Sequence, residues 1–184
     1  MSLQLITART EWPVELPEVK KHLEGSAITA DDAYIQELIY VATDEAERNH
    51  DLTLNEATYD LLLDDFPDVI EIWKWPISSI TSVKYTDTAG DTQTVGSSNY
   101  STDLYSYPAR IIRADSYTWP DVKDSEANAV QVRFVTGFTS PAVVPGDIKQ
   151  ALYLKIAEYF DKREDFGQRF GRRSDRILRT CKYR

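Results

Sequence analysis

"WPISSITSVKYTDTAGDTQTV", residues 75–95, contains two runs of β-type residues on either side of a turn sequence with a glycine. Ile, Val, Thr and Tyr favour strands, and Gly beside Asp favours a tight turn, so this stretch predicts an antiparallel hairpin. Alternating apolar and polar residues begin at about residue 53, and short strand-like runs continue to about residue 138. We therefore expect a β-rich region over residues 53–138.

Segments on both sides of this region have helical patterns. Helices are predicted over about residues 16–24, 31–50 and 146–163, because apolar residues recur there every three or four positions. Thr29 followed by Asp32 is a capping-box pattern at the start of the second helix. Together these features predict the α+β class: a small body of three main helices with an inserted antiparallel β-rich subdomain.

Charge is distributed unevenly along the 184 residues, whose formal net charge is −9. Residues 161–184 hold nine Lys or Arg against four Asp or Glu, a net charge of +5. The preceding 160 residues hold twelve against twenty-six, a net charge of −14. This contrast predicts an acidic domain over residues 1–164, followed by an extended basic C-terminal arm over residues 165–184.

The composition predicts a soluble globular protein. A hydrophobic content of 42% is too high for a disordered chain, and no apolar run approaches the length of a membrane-spanning helix. The first residues lack the positive start and apolar core of a secretory signal, which predicts a cytosolic protein. Cys181 is the single cysteine, so neither an intramolecular disulfide nor a cysteine-rich metal site is expected.

The sequence shows no constellation of catalytic or cofactor-binding residues. His22 and His50 lie on different predicted helices, and neither has further metal ligands or triad partners at a usual spacing. Helix capping explains the acidic pair at 31–32, a turn explains the pair at 64–65, and no glycine-rich phosphate loop is present. We therefore predict a protein that is not an enzyme and that needs no cofactor or metal.

Two helices carry more apolar surface than one core requires. Besides their main apolar faces, the second helix has Tyr34 and Val41, and the last helix has Tyr153, Leu154 and Ala157. A helix with two apolar stripes packs on two partners. We expect one of those partners to be another copy of this chain.

Several stretches, taken in order, resemble the head–tail connector proteins of tailed bacteriophages, also called adaptor or head-completion proteins. The most specific is the hairpin at residues 75–95, which resembles the family pattern P-x-x-S-I/V-x-S-V-x-Y-x-D-x-x-G. "PVELPEVKKHLE" and "DDAYIQELIYVATDEAER" resemble the first two helices of the family, and "YSTDLYSYPARI", "TWP", "NAVQVRFVTGF" and "VPGDIKQALYLKIAEYFDKRE" follow in the family order. The resemblance covers most of residues 13–164, whereas the tail after Glu164 matches no fixed motif.

The resemblance implies a structural virion protein. Such proteins form a closed ring, here expected to be a dodecamer, under the portal protein at the neck between head and tail. The ring extends the channel for packaged double-stranded DNA without sequence-specific binding, and it offers a docking surface to the stopper or tail-terminator protein. Assembly in the host cytoplasm is also implied, with no membrane partner.

The residues suggest where such a ring would make its contacts. The second apolar stripes are candidates for the subunit interface, because head-to-tail neighbours need two different faces. Acidic residues of the second helix are candidates for the channel lining, where negative charge would repel DNA phosphates; they are Glu37, Asp44, Glu45 and Glu47. The basic arm is the candidate for portal binding, since Arg pairs bidentately with carboxylates. Its residues are Arg172, Arg173, Arg176, Ile177, Leu178, Arg179, Lys182, Tyr183 and Arg184.

Other functions fit the same sequence. A neck stopper or tail-completion protein would have a similar structural role farther from the head. A small nucleic-acid-binding module using the basic tail is an alternative of another class, and steep salt dependence of DNA binding would favour it. Two further alternatives concern the tail alone. In the simpler one, the tail covers the acidic body of its own chain. In the other, the tail contacts the DNA end in the channel.

Overall fold

The computed structural model describes residues 1–23, 32–124, 126–161 and Leu178. Within these residues the chain forms three α-helices and eight strands in two antiparallel sheets, so the predicted α+β class is confirmed. Two compact units are distinguished: a β unit of Met1–Arg9 and Glu56–Gly137, and a helical unit of Thr10–Asn55 and Phe138–Arg184. The predicted boundary at residue 164 lies outside the described residues and stays a prediction.

The β unit contains all eight described strands. They are β1 (Ser2–Thr7), β2 (Ala57–Leu63), β3 (Val69–Ile72), β4 (Ile77–Thr86), β5 (Thr92–Val95), β6 (Tyr100–Asp103), β7 (Ala109–Arg113) and β8 (Val130–Thr136). The larger sheet has the order β1–β2–β8–β4–β5, and the smaller sheet has the order β3–β7–β6. Apolar side chains of both sheets form one core cluster, so the two sheets share a single core.

The predicted hairpin is formed by β4 and β5, with Val83 opposite Val95. Its turn is held by Asp87, whose Oδ1 accepts hydrogen bonds from the backbone N–H groups of Ala89 at 3.0 Å and Asp91 at 2.9 Å. Gly90 has a φ of 92°, a backbone conformation that favours glycine. The turn therefore has a physical reason for both its aspartate and its glycine.

Strand β1 was not predicted from the sequence. It pairs with β2, about fifty residues later in the chain, in a register that runs from Ser2 opposite Leu62 to Thr7 opposite Thr58. In SLQLIT, polar and apolar residues alternate only from Ser2 to Leu5, and Ile6 breaks the pattern, so the strand signal is weak. The β unit therefore includes an N-terminal strand outside the predicted β-rich region.

The helical unit contains α1 (Leu16–His22), α2 (Asp32–His50) and α3 (Gly146–Asp161). The apolar residues that recur every three or four positions along α2 form a buried face; they are Ile35, Leu38, Ile39, Ala42 and Ala46. On α3 the buried apolar residues are Ile148, Ala151, Leu152 and Ile156. Thr29, the predicted cap of α2, lies outside the described residues.

Asp60 is a buried carboxylate in the middle of β2. It accepts two hydrogen bonds of 2.8 Å from the guanidinium of Arg133 and one of 2.6 Å from Nε2 of Gln131. Arg133 lies directly opposite Asp60 in the β2–β8 register. Because a buried carboxylate requires donors to compensate for lost water, this cluster holds β2 against β8.

Replacing Asp60 by asparagine removes the charge that these donors share. Asp60→Asn is expected to lower the free energy of unfolding by about 1–3 kcal/mol, measured by urea denaturation, because hydrogen bonds to an ionised group are stronger than neutral ones. Glu71→Gln is the matched control, since Glu71 is an exposed strand carboxylate on β3. Equal effects of the two substitutions would contradict the role given to Asp60.

Candidate interaction surfaces

One face of α2 is open to solvent. Glu37, Val41, Asp44 and Arg48 recur every three or four residues and are all exposed, with Val41 at 47%. Val41 was predicted for a subunit interface, whereas Glu37 and Asp44 were predicted for a channel lining. The structure brings these three residues together on one surface, here called the α2 face.

The other two channel candidates, Glu45 and Glu47, are bound within the helical unit. Nζ of Lys155 lies 2.9 Å from Oε1 of Glu45, and the hydroxyl of Tyr159 also donates to Glu45. Glu47 accepts a hydrogen bond of 2.8 Å from the backbone N–H of Leu54. The contacts of Glu45 join α2 to α3, and the contact of Glu47 joins α2 to the segment that follows it. A channel-lining role stays a prediction for all four acidic residues.

The ion pair of Glu45 with Lys155 joins α2 to α3 with little access to water. The side chain of Lys155 is 1% exposed and that of Glu45 is 34% exposed. Burial alone would raise the pKa of Glu45, but hydrogen bonds from Tyr159 and Lys155, together with the charges of Lys155 and Arg48, lower it below its usual value. The carboxylate therefore stabilises the packing of the two helices in its ionised form.

Two of the predicted interface residues have partners within their own unit. Tyr34 lies against Phe160, with ring centroids 6.2 Å apart. The hydroxyl of Tyr153 donates a hydrogen bond of 3.0 Å to Glu18, and its ring stacks on His22. Burial and the nearby Glu18 carboxylate raise the pKa of Tyr153 to about 12. Both tyrosines thus contribute to the internal packing of the helices.

The remaining interface candidates differ in exposure. Leu154 and Ala157 are half-buried on α3, whereas Val41 is exposed on α2. A subunit interface made by the five predicted residues stays a prediction.

Leu178 is the one residue of the predicted portal-binding set that lies within the described residues. It is helical, and its side chain is fully buried by the chain itself. The other members of the set lie outside the described residues; they are Arg172, Arg173, Arg176, Ile177, Arg179, Lys182, Tyr183 and Arg184. Portal binding by the arm stays a prediction.

A cleft of about 440 Å³ lies in the helical unit. Its lining residues are Glu11, Trp12, Val14, Glu15, Leu16, Gln36, Ser140, Pro141 and Ala142. Trp12 stacks on Tyr40 with ring centroids 4.2 Å apart. Among the described residues of this lining, Ser140 is the one hydroxyl, and none is a histidine, lysine or cysteine that would activate it.

Four residues weighed as possible metal ligands in the sequence have structural roles in the fold; they are Asp64, Asp65, His22 and His50. Asp64 and Asp65 accept hydrogen bonds from backbone N–H groups, at 2.9 and 2.7 Å. His22 packs on a tyrosine ring, and His50 is buried at the end of α2. Among the described residues, no group of three or more His, Cys, Asp or Glu is placed to hold a metal ion. No described helix is long and apolar enough to cross a membrane.

A loop of the β unit presents a tyrosine that sequence reasoning missed. Tyr105 is 98% exposed, between β6 and β7. Asp103 fixes this loop by accepting hydrogen bonds from the backbone N–H groups of Tyr105 and Ser106 and from the side chains of Ser106 and Arg110. These hydrogen bonds hold the pKa of Asp103 well below its usual value, and the bond from Arg110 has the largest effect. Tyr105 is thus an exposed aromatic side chain on a loop that hydrogen bonds hold in place.

Solved structures share this fold, whereas no protein-family model and no curated protein matches the sequence. A chain from the virion of the native gene transfer agent (GTA) particle has a TM-score of 0.79 and 21% sequence identity, over 98% of this chain and 94% of that chain. This chain has the fold of that GTA protein.

Two further structures extend the comparison. Chains from the neck of the empty GTA particle, computed with C6 symmetry, and from the neck of the native GTA particle, computed with C12 symmetry, have TM-scores of 0.77 and 0.69. Each is 22% identical, again over 98% of this chain and 94% of the other. The shared fold therefore covers both the β unit and the helical unit.

The charge on Glu45 is expected to make stability depend on pH. Because its pKa is lowered in the folded chain, the carboxylate contributes stability above its ordinary pKa of 4.5, and this contribution is lost as the pH falls below that value. At neutral pH, Glu45→Gln is expected to lower the free energy of unfolding by about 1–3 kcal/mol, less than for a fully buried pair because Glu45 is partly exposed.

Denaturation of both proteins at neutral pH and at about pH 3 tests this, and the difference between wild type and variant should shrink in acid. Glu37→Gln is the control on the same helix, because Glu37 is exposed on the α2 face. A difference between wild type and Glu45→Gln that does not change with pH would contradict the assignment.

Proposed function

We propose that this chain is a structural protein of the neck of a phage-like particle. In this proposal it acts as a head–tail connector, or adaptor: copies form a ring under the portal, extend the DNA channel and present a docking surface to the stopper or tail-terminator protein. The main observation in support is that 98% of this chain aligns with chains from GTA particle necks that have the same fold. The ordered sequence resemblance over residues 13–164 supports the same class.

The proposed oligomer is a ring of twelve copies. It is supported by the C12 symmetry used for one neck of like fold. A closed ring of identical subunits requires two different contact surfaces on each subunit. The exposed Tyr105 loop of the β unit offers one such surface.

The proposed channel lining rests on the charge of the chain. A net charge of −9 repels DNA phosphates, which lets a duplex pass without adhering to the wall. Glu37 and Asp44 are the better candidates of the four predicted acidic residues, because both are exposed on the α2 face while Glu45 and Glu47 are bound inside the helical unit.

The proposed portal contact uses the arginines of the basic arm. Leu178 is buried by its own chain, so it serves as an internal anchor of the arm in this proposal, in place of the external contact first predicted for it. Arg172 and Arg176 then remain to pair with carboxylates on the portal. The protein would be located in the virion neck, after assembly in the host cytoplasm.

Ring formation is tested by negative-stain electron microscopy of the purified chain, alone and mixed with its portal. An annulus with the mass of twelve copies of the 21.1 kDa chain is expected. Raising the salt concentration should favour the ring, because it screens repulsion between acidic subunits. Particles that stay monomeric in both samples would contradict the proposal, whereas binding only to a preformed adaptor–portal complex would favour a stopper.

Portal binding by the arm is tested with Arg176→Glu. We expect this variant to bind the portal at least about tenfold more weakly in co-sedimentation, with an unchanged melting temperature. Lys21→Glu is the control, since it makes the same charge change at an exposed position of α1.

Other results would support other roles for the tail. A lower melting temperature with normal portal binding would indicate that the tail covers its own acidic body. DNA binding that depends steeply on salt and is lost in Arg176→Glu would indicate a nucleic-acid-binding module.

A further inference from the structure

The start of the chain carries a concentration of exposed apolar side chains. Nine large hydrophobic side chains are exposed among the described residues, and four of them lie within the first six positions: Met1, Leu3, Leu5 and Ile6. Leu3 is 41% exposed and Leu5 is 50% exposed. Single exposed apolar residues are ordinary, whereas a contiguous group marks a contact surface.

Leu3 and Leu5 continue the core side of the larger sheet to its edge. Leu3 lies opposite Leu61, and Leu5 lies opposite Tyr59, in the pairing of β1 with β2. Residues directly opposite each other in an antiparallel pair lie on the same face. Leu61 is fully buried and Tyr59 packs on the same core cluster. Leu3 and Leu5 therefore extend this apolar surface to the edge of the sheet, where their side chains are exposed. We call these two residues the β1 flank.

Strand β1 is also an edge strand with little protection. It ends the five-stranded sheet, and its sequence SLQLIT contains neither a charged residue nor proline. Natural edge strands usually carry such residues, because an unprotected edge pairs with other chains. The edge strand β3 of the smaller sheet, for comparison, exposes Glu71. The one irregularity of β1 is a register shift between Leu5 and Thr7, near its end.

We propose that the β1 flank is covered by a second copy of this chain. The proposal rests on the ring proposed above, in which every copy has to contact two neighbours through different surfaces. Copies with a net charge of −9 repel each other, so an uncharged apolar strand is the part of the surface where two copies approach at the lowest electrostatic cost. A basic partner, in contrast, would be expected to bind where the carboxylates are.

Leu5→Lys tests the proposal, with Ser2→Lys as the matched control. Both substitutions add one positive charge to the same strand, but Ser2 lies opposite Leu62, on the other side of the sheet from the flank. Sedimentation velocity over a concentration series, with portal added where assembly requires it, measures the concentration at which half of the chain is in rings. We expect Leu5→Lys to raise this concentration at least about tenfold, and Ser2→Lys to leave it within about twofold.

Hydrogen–deuterium exchange of the wild-type chain gives a second readout that does not depend on the folding of a variant. The backbone amides of residues 2–7 should exchange more slowly in assembled rings than in dilute subunits. Equal exchange in the two states, or normal assembly of Leu5→Lys, would overturn the assignment of β1 and leave the ring intact. A wild-type chain that never assembles would overturn the ring itself, and the β1 contact with it.

Discussion

The pairing of β2 with β8 is the constraint on which the rest of the fold depends. Ala57 lies opposite Thr136, so the β insertion begins and ends at neighbouring positions, and the helical segments before and after it belong to one unit. This pairing closes a loop of about seventy residues, and the loss of chain entropy on bringing its ends together opposes the contact. Asp60 and its donors lie in the middle of the β2–β8 pairing. Their hydrogen bonds can form in only one register of the two strands, so they help to fix that register.

Periodicity predicted the elements that depend on local sequence. The hairpin at residues 75–95 has its own turn chemistry, and the core face of α2 follows from apolar spacing, so both were readable from short windows. Strand β1 was missed, because its partner lies about fifty residues away and the alternation of SLQLIT breaks at Ile6. The resemblance to head–tail connectors was also read from ordered short motifs, and the fold shared with GTA neck chains agrees with it at the level of architecture.

The candidate residues show a further limit of sequence reasoning. Alternation along β2 marks Asp60 as a solvent-facing position, yet it is buried, because Arg133 and Gln131 on the next strand supply the donors that water would otherwise provide. In the same way, Glu37 and Glu45 look alike on α2, but only Glu45 meets a lysine from α3. A sequence gives the position of a charge on its own element, whereas its partners depend on how elements pack.

The uncovered edge at the N-terminus has a consequence for the order of events in a cell. In the proposed ring, a subunit without its neighbour exposes an apolar edge strand, and such strands are prone to irregular, amyloid-like pairing. The surplus of negative charge slows such encounters between free subunits, and a docking template raises the local concentration in the productive geometry. In the proposed assembly, the timing of synthesis relative to the template then affects how soluble the free subunits remain.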